Sequence, residues 1–300
     1  MDVVTHGMMG VVIAAPFAPQ HPEAAVAFMM GSVLPDTDVV TRVLGKRTFL
    51  KCHQTFTHAL PIIVAVSVAV HLALSMVGIR DYQVAAGFGL GMILHSFLDY
   101  SNTYGITLLA PFSRKRYSRE WLFFIDLPVI VVSVAALTVV CRSMLRDEIP
   151  GLWLAYSYAG FLMVYWILRI WLHRRAWRLS PQGTICLLPT AFTPWKFVGA
   201  GRQVDKVHLF DLNVIDGSLT NESLQEIHDA SFAKALEEIP EYRTMRGLSP
   251  LFHVVDVLRG EREVIVTCRD LRVRHFSTRF GELTVTLDPA GAVQRVHFHV

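Results

Sequence analysis

VAAGFGLGMILHSFLD, residues 84 to 99, is an apolar run that closes on a histidine and an aspartate four positions apart. At helical spacing His95 and Asp99 leave the same face one turn apart, so they can share an ion. The run falls a little short of the ~20 residues that carry a helix across hydrocarbon, which suits a helix whose last turn faces a polar cavity. The three glycines of GFGLG lie inside this helix and far from any strand, and we read them as a packing surface rather than a phosphate cradle.

Three further apolar runs extend this reading: Pro61 to Ile79, Pro128 to Leu145 and Leu152 to Leu172. Each approaches the length of a membrane crossing. Met8 to Leu34 is also apolar but is broken by Pro16, Pro19 and Pro22, so it predicts two short helices, re-entrant or interfacial. The composition agrees with a chain of two parts. It is 52% hydrophobic and 18% charged, with a mean hydropathy of +0.40, too apolar for an ordinary soluble enzyme and too charged to lie wholly in a bilayer.

Basic residues gather in three blocks: Arg42, Lys46, Arg47 and Lys51; Arg114, Lys115, Arg116 and Arg119; and Arg169, Arg174, Arg175 and Arg178. If four runs cross, all three blocks fall on one side, which the positive-inside rule assigns to the cytoplasm. Arg142 and Arg146 run against that map. The net charge of +3 is mild, and no basic and aromatic stripe points to nucleic acid, so direct nucleic-acid binding is not expected. The four cysteines form neither a C-x-x-C pair nor a disulfide framework, and no removable signal peptide is expected at the N-terminus.

After Arg178 the runs shorten and charge rises. Alternation at Val264 to Cys268, Leu283 to Leu287 and Val293 to Val300 predicts strands, and Glu222 to Glu238 has the spacing of a helix capped by Thr220 or Asn221. The expected fold is therefore an α-helical polytopic membrane domain, residues 1–178, followed by a small cytoplasmic α+β domain with an antiparallel sheet, residues 179–300.

The residues that carry chemistry cluster at the ends of the apolar segments: His6, Asp36, Asp38, His53, His58, His95 and Asp99. Imidazole and carboxylate facing hydrocarbon are costly unless compensated, and a divalent cation compensates both. Singly, each has a bland reading: Asp36 and Asp38 as turn caps, His58 as a helix-start residue, His95 as a packed core histidine. Together their mixture of nitrogen and oxygen donors favours zinc, manganese or iron over calcium or magnesium. Their number exceeds one tetrahedral zinc, which suggests a two-ion centre. Ser101, Asn102 and Thr103 follow Asp99 and are placed to orient a ligand, and Arg114 to Arg116 to meet an anion or simply to retain topology. The tail histidines His208, His228, His253, His275, His297 and His299 lack ligand spacing; only His297 and His299 share a strand face.

The ordered set of His6, LPDTD at 34–38, HQTFTH at 53–58, HSFLDYSNTYG at 95–105, APFS at 110–113 and FFID at 123–126 resembles the bacterial inner-membrane-associated metal-dependent hydrolases, also described as LexA-regulated or LexA-binding. The resemblance covers most of residues 1–178 and continues weakly into the tail through FTPWKF and CRDLRVRHF. It implies a divalent metal at His6, Asp36, Asp38, His53, His58, His95 and Asp99, with Asp126 a further candidate. One departure stands out: where relatives carry Arg-Gly after the first histidine of H-x-x-x-T-H, this chain has Gln54 and Thr55.

The expectation that follows is a multi-pass inner-membrane hydrolase that uses a metal-activated water on a phosphoester or other ester of an amphiphile, with Asp38 or Asp126 as general base. Membrane lipids, the substrate and a protein partner for the tail are the expected contacts. Two rivals are a regulator or scaffold that the ion only staples together, and an ion-coupled transporter.

Overall fold

The computed structural model describes residues 2–274 and 281–299. The chain divides into a helical unit, residues 1–41, 52–173 and 189–194, and a β-rich unit, residues 42–51, 174–188 and 195–300.

In the helical unit, α1 (Val3–Ala14) starts where the Asp2 carboxylate accepts the Thr5 amide, and α2 (Pro22–Val33) starts on a proline that needs no amide partner there. These are the two short helices the prolines predict. A 3-10 helix (Leu34–Leu44) follows, and later come α4 (Leu60–Met76), α5 (Tyr82–Tyr100), α6 (Leu127–Met144) and α7 (Leu152–Leu179). Helix α5 packs along α2 with almost nothing between the backbones: a Cβ on Gly31 would lie 2.1 Å from the Phe88 carbonyl oxygen, and one on Gly91 2.2 Å from that of Phe28. Met9, Val12, Leu98, Leu122, Val129 and Leu162 form one core of this unit, and Ala27, Ile63, Phe88 and Met92 a second.

The polytopic expectation is overturned here. Among the described residues, α6 is the one helix long and apolar enough to cross a membrane. Helices α1 and α2 have 12 residues each, about 18 Å at 1.5 Å per residue, against a hydrocarbon core of about 30 Å. Helix α4 has 17 residues, α5 buries His95 and Asp99 in its last turns, and α7 carries Arg169, Arg174, Arg175 and Arg178.

The β-rich unit holds two four-stranded antiparallel sheets rather than one. The first runs β1 (Thr184–Pro189), β2 (Lys196–Arg202), β3 (Lys206–Asn213), β4 (Leu219–Glu226); the second runs β5 (Phe252–Arg259), β6 (Val264–Asp270), β7 (Leu283–Leu287), β8 (Val293–Phe298), each in sequence order. Strands β6, β7 and β8 fall where alternation predicts them; Val300 lies outside the described residues. The helix expected over Glu222 to Glu238 is only half present. Residues up to Glu226 pair with β3, Lys206 opposite Glu226 and His208 opposite Leu224, and the helix α8 begins at Asp229 and ends at Glu237. Ladder hydrogen bonds overrode the helical spacing. Helix α9 (Pro240–Leu248) follows, and its Tyr242 and Met245 join the core with residues of β5 to β8. A short helix near the start of the chain, α3 (Lys46–Cys52), gives Phe49 and Leu50 to this unit's core, beside Phe252, Val266, Leu283 and Val285.

Candidate metal centre

His95 owes its orientation to the end of α2. The last carbonyls of a helix have no amide partner within it, and His95 Nδ1 donates to the Ser32 carbonyl at 2.8 Å. That bond fixes the tautomer and leaves Nε2 as a bare lone pair. Asp99 follows one turn later, and His58 enters from the loop before α4. The His58 Nδ1 lies 2.9 Å from Thr57 Oγ1, whose hydroxyl donates to Asp38 Oδ2 at 3.3 Å, so its bare nitrogen is also Nε2.

The two Nε2 atoms face each other at 3.1 Å. Asp99 Oδ2 lies 3.2 Å from His58 Nε2 and 3.7 Å from His95 Nε2, and Asp36 Oδ1 is 3.5 Å from His95 Nε2. All four donor atoms lie within 4.8 Å of one another. A tetrahedral ion with bonds of about 2.0–2.1 Å needs ligand separations of about 3.3–3.4 Å, which these distances bracket. Two bare nitrogens and two carboxylate oxygens at such spacing repel unless a cation lies between them.

Electrostatics agree. Burial pushes His6 down to about 4 and lowers His58 as well, so both rings stay neutral near neutral pH. Burial alone would raise Asp99 and Asp36; the positive charge of the chain's N-terminus, with His58 and His6 close by, holds Asp99 well below the usual carboxylate range, and neighbouring His95 holds Asp36 below it. Neutral imidazoles with ionised carboxylates are the state that binds a divalent metal.

Of the remaining predicted residues, His6, Asp38 and His53 lie around the four donors and Asp126 does not. His6 stacks on the His95 ring, centroids 3.7 Å apart, and its Nε2 lies 3.3 Å from Asp99 Oδ1. Asp38 contributes none of the four atoms. Its Oδ1 pairs with His53 Nδ1 at 2.7 Å, and its Oδ2 accepts the Gln54 amide at 2.8 Å and the Thr57 hydroxyl. Asp38 therefore brackets the loop that delivers His58, and His53 is its partner rather than a fifth donor. Asp126 is elsewhere: it caps α6 through the Val129 amide and accepts the Tyr165 hydroxyl at 2.9 Å. Burial raises its carboxyl, and its partners include no member of the cluster.

Two residues matter more than the sequence suggested. Gln54 adopts a left-handed backbone, φ 58°, and from it sends its side-chain amide to Asp99 Oδ2 at 3.0 Å. The Arg116 guanidinium donates to the carbonyls of His53 and Gly105 and so ties the loop down from behind. Burial lowers it to about 10 while Asp38 and Asp99 support its charge, so it remains a cation. In the tail, His208 pairs with Glu222, His253 with Asp229, and His297 lies against His299, ring centroids 4.3 Å apart; His275 lies outside the described residues.

The sequence profile of the YdjM inner membrane proteins matches residues 1–176, which span every donor of this cluster. The chain belongs to the YdjM inner membrane protein family. That match supports the kinship read from the ordered motifs and the inner-membrane setting; the hydrolytic activity does not come with it. The chain is also similar to the uncharacterized protein YfhP of Bacillus subtilis (strain 168), 25% identical over 271 residues, 81% of each chain. No solved structure matches it.

Proposed function

We propose that this YdjM family member is a membrane-associated, metal-dependent hydrolase of phosphoesters or other esters of amphiphilic substrates. The observation that carries the reading is a two-histidine, two-aspartate donor set at tetrahedral spacing in which three side chains are fully buried and the fourth, Asp36, keeps 11% of its side chain exposed. A divalent ion held there would supply Lewis acidity and lower the pKa of a water near neutral pH. The chain's own groups do the positioning. His95 is locked by Ser32, His58 by Thr57, and Asp99 from both sides by His6 and Gln54. Asp36 is the one acid of the set that solvent reaches, and in this reading it takes the water's proton. Arg116 keeps a positive charge behind the loop, which favours an anionic substrate.

The completeness of the four-donor set favours a second reading, an ion that only staples the helices. Metal analysis of the purified protein, followed by a phosphoester panel with and without chelator, separates the two. A hydrolase loses phosphoester turnover to chelator and regains it when the metal is restored; a stapled scaffold turns over nothing with or without metal, and chelator lowers only its thermal stability.

A further inference from the structure

Resting on the metal-centre reading above, we infer that the β-rich unit regulates ion binding through α3. The chain leaves the helical unit after Thr41, gives residues 42–51 to the β-rich unit and returns at Cys52. Asp38 stands just before this excursion, and His53 and Gln54 just after it. The excursion is closed at its base by the two Asp38 bonds, to His53 at 2.7 Å and to the Gln54 amide at 2.8 Å.

What orders the middle of the excursion is not local. A seven-residue helix is too short to hold itself in water, so α3 exists because something packs on it. Phe49 and Leu50, 7% and 4% exposed, are members of the core built by Phe252, Val266, Leu283 and Val285, and Lys46 Nζ donates to the Phe298 carbonyl at 2.6 Å. Loosening that core frees α3, and a ten-residue ordered segment becomes a floppy loop whose closure by Asp38 costs more entropy. The bracket reaches the ligands directly: Gln54 orients Asp99, and Thr57, bonded to Asp38, orients His58. Coupling of this kind is reciprocal, so an ion at the centre also steadies the β-rich unit.

The test uses the full chain in detergent, titrated with Zn2+ and with Mn2+. Phe49→Ala removes the core anchor, and Lys46→Met, milder, removes only the bond to Phe298. Both variants should weaken ion binding, Phe49→Ala by ~10-fold or more, the range in which groups that support ligands act. In the wild type, the ion should slow hydrogen exchange of the amides in β5 to β8. The inference is overturned if the wild type binds an ion while both variants, with faster exchange in β5 to β8, bind it equally well. A wild type that binds neither ion overturns the metal-centre reading itself, a separate result.

Discussion

At the scale of single residues, the centre depends on which nitrogen each ring presents. His95→Ala deletes the donor that Ser32 fixes, and the expected outcome is loss of the bound ion measured by elemental analysis of the purified variant. Asp38→Asn is a finer probe, because Asp38 touches His53, Gln54 and Thr57 but supplies no donor atom. It should retain one site and weaken it by roughly 10- to 100-fold; complete loss would mean that Asp38 coordinates after all. Proton linkage gives a third expectation. Burial pushes His6 down to about 4 in the folded chain, against about 6.5 for an ordinary histidine, so between these values the unfolded chain holds the extra proton. Stability of the metal-free protein should therefore fall as pH drops from about 6.5 to about 4, and His6→Asn should flatten that part of a thermal-melt pH series. His95 and Asp99 were legible in the sequence because a period of 3.6 puts them on one face. Gln54 was not, because its contribution depends on a left-handed backbone and on its own amide, neither of which residue type announces.

Among the elements, the α2–α5 seam sets the position of His95. Since the Cβ of an alanine at 91 would sit 2.2 Å from the Phe28 carbonyl, Gly91→Ala must push the helices apart and draw His95 from Ser32. The expected cost is about 1–3 kcal/mol, as for other overpacked contacts, with weaker ion binding. Gly160→Ala on α7, where a Cβ meets nothing within 4 Å, serves as control and should stabilise slightly. A calorimetric comparison of the two variants decides the matter. The GFGLG run could be read as a packing surface because glycine in an apolar helix has few other uses. Strands β2 and β4 escaped the same scrutiny for a physical reason. Five successive residues of β2 are buried and most of β4 is exposed, so neither alternates as a half-buried strand does. Helix α3 was hidden too, its basic residues reading as a topogenic block while Phe49 and Leu50 did the packing.

For the whole molecule, the family is one of inner membrane proteins and α6 is the described helix fit to cross. Most of its length is not covered by protein, and Val131 and Val134 are 56% and 49% exposed. Val134→Arg, near its middle, places a charge where helix insertion costs about 2.5–3.5 kcal/mol. The variant should move toward the carbonate-extractable fraction of membranes; unchanged retention would show that other contacts anchor the chain. The four-crossing expectation failed because hydropathy along a run does not reveal where the helix stops or which face it hides. In α5 the glycines, His95 and Asp99 turn inward.

Asp36 adds a matter of timing. His58, His95 and Asp99 are held in place by neighbouring groups, whereas Asp36 arrives on an eleven-residue 3-10 stretch, a geometry rarely sustained beyond three or four residues. An ion leaving the centre would release that arm first. How long it dwells, and whether one metal can be swapped for another as supply changes, would then depend on the short piece of that stretch ahead of the Asp38 bracket as well as on the depth of the well the other three donors make.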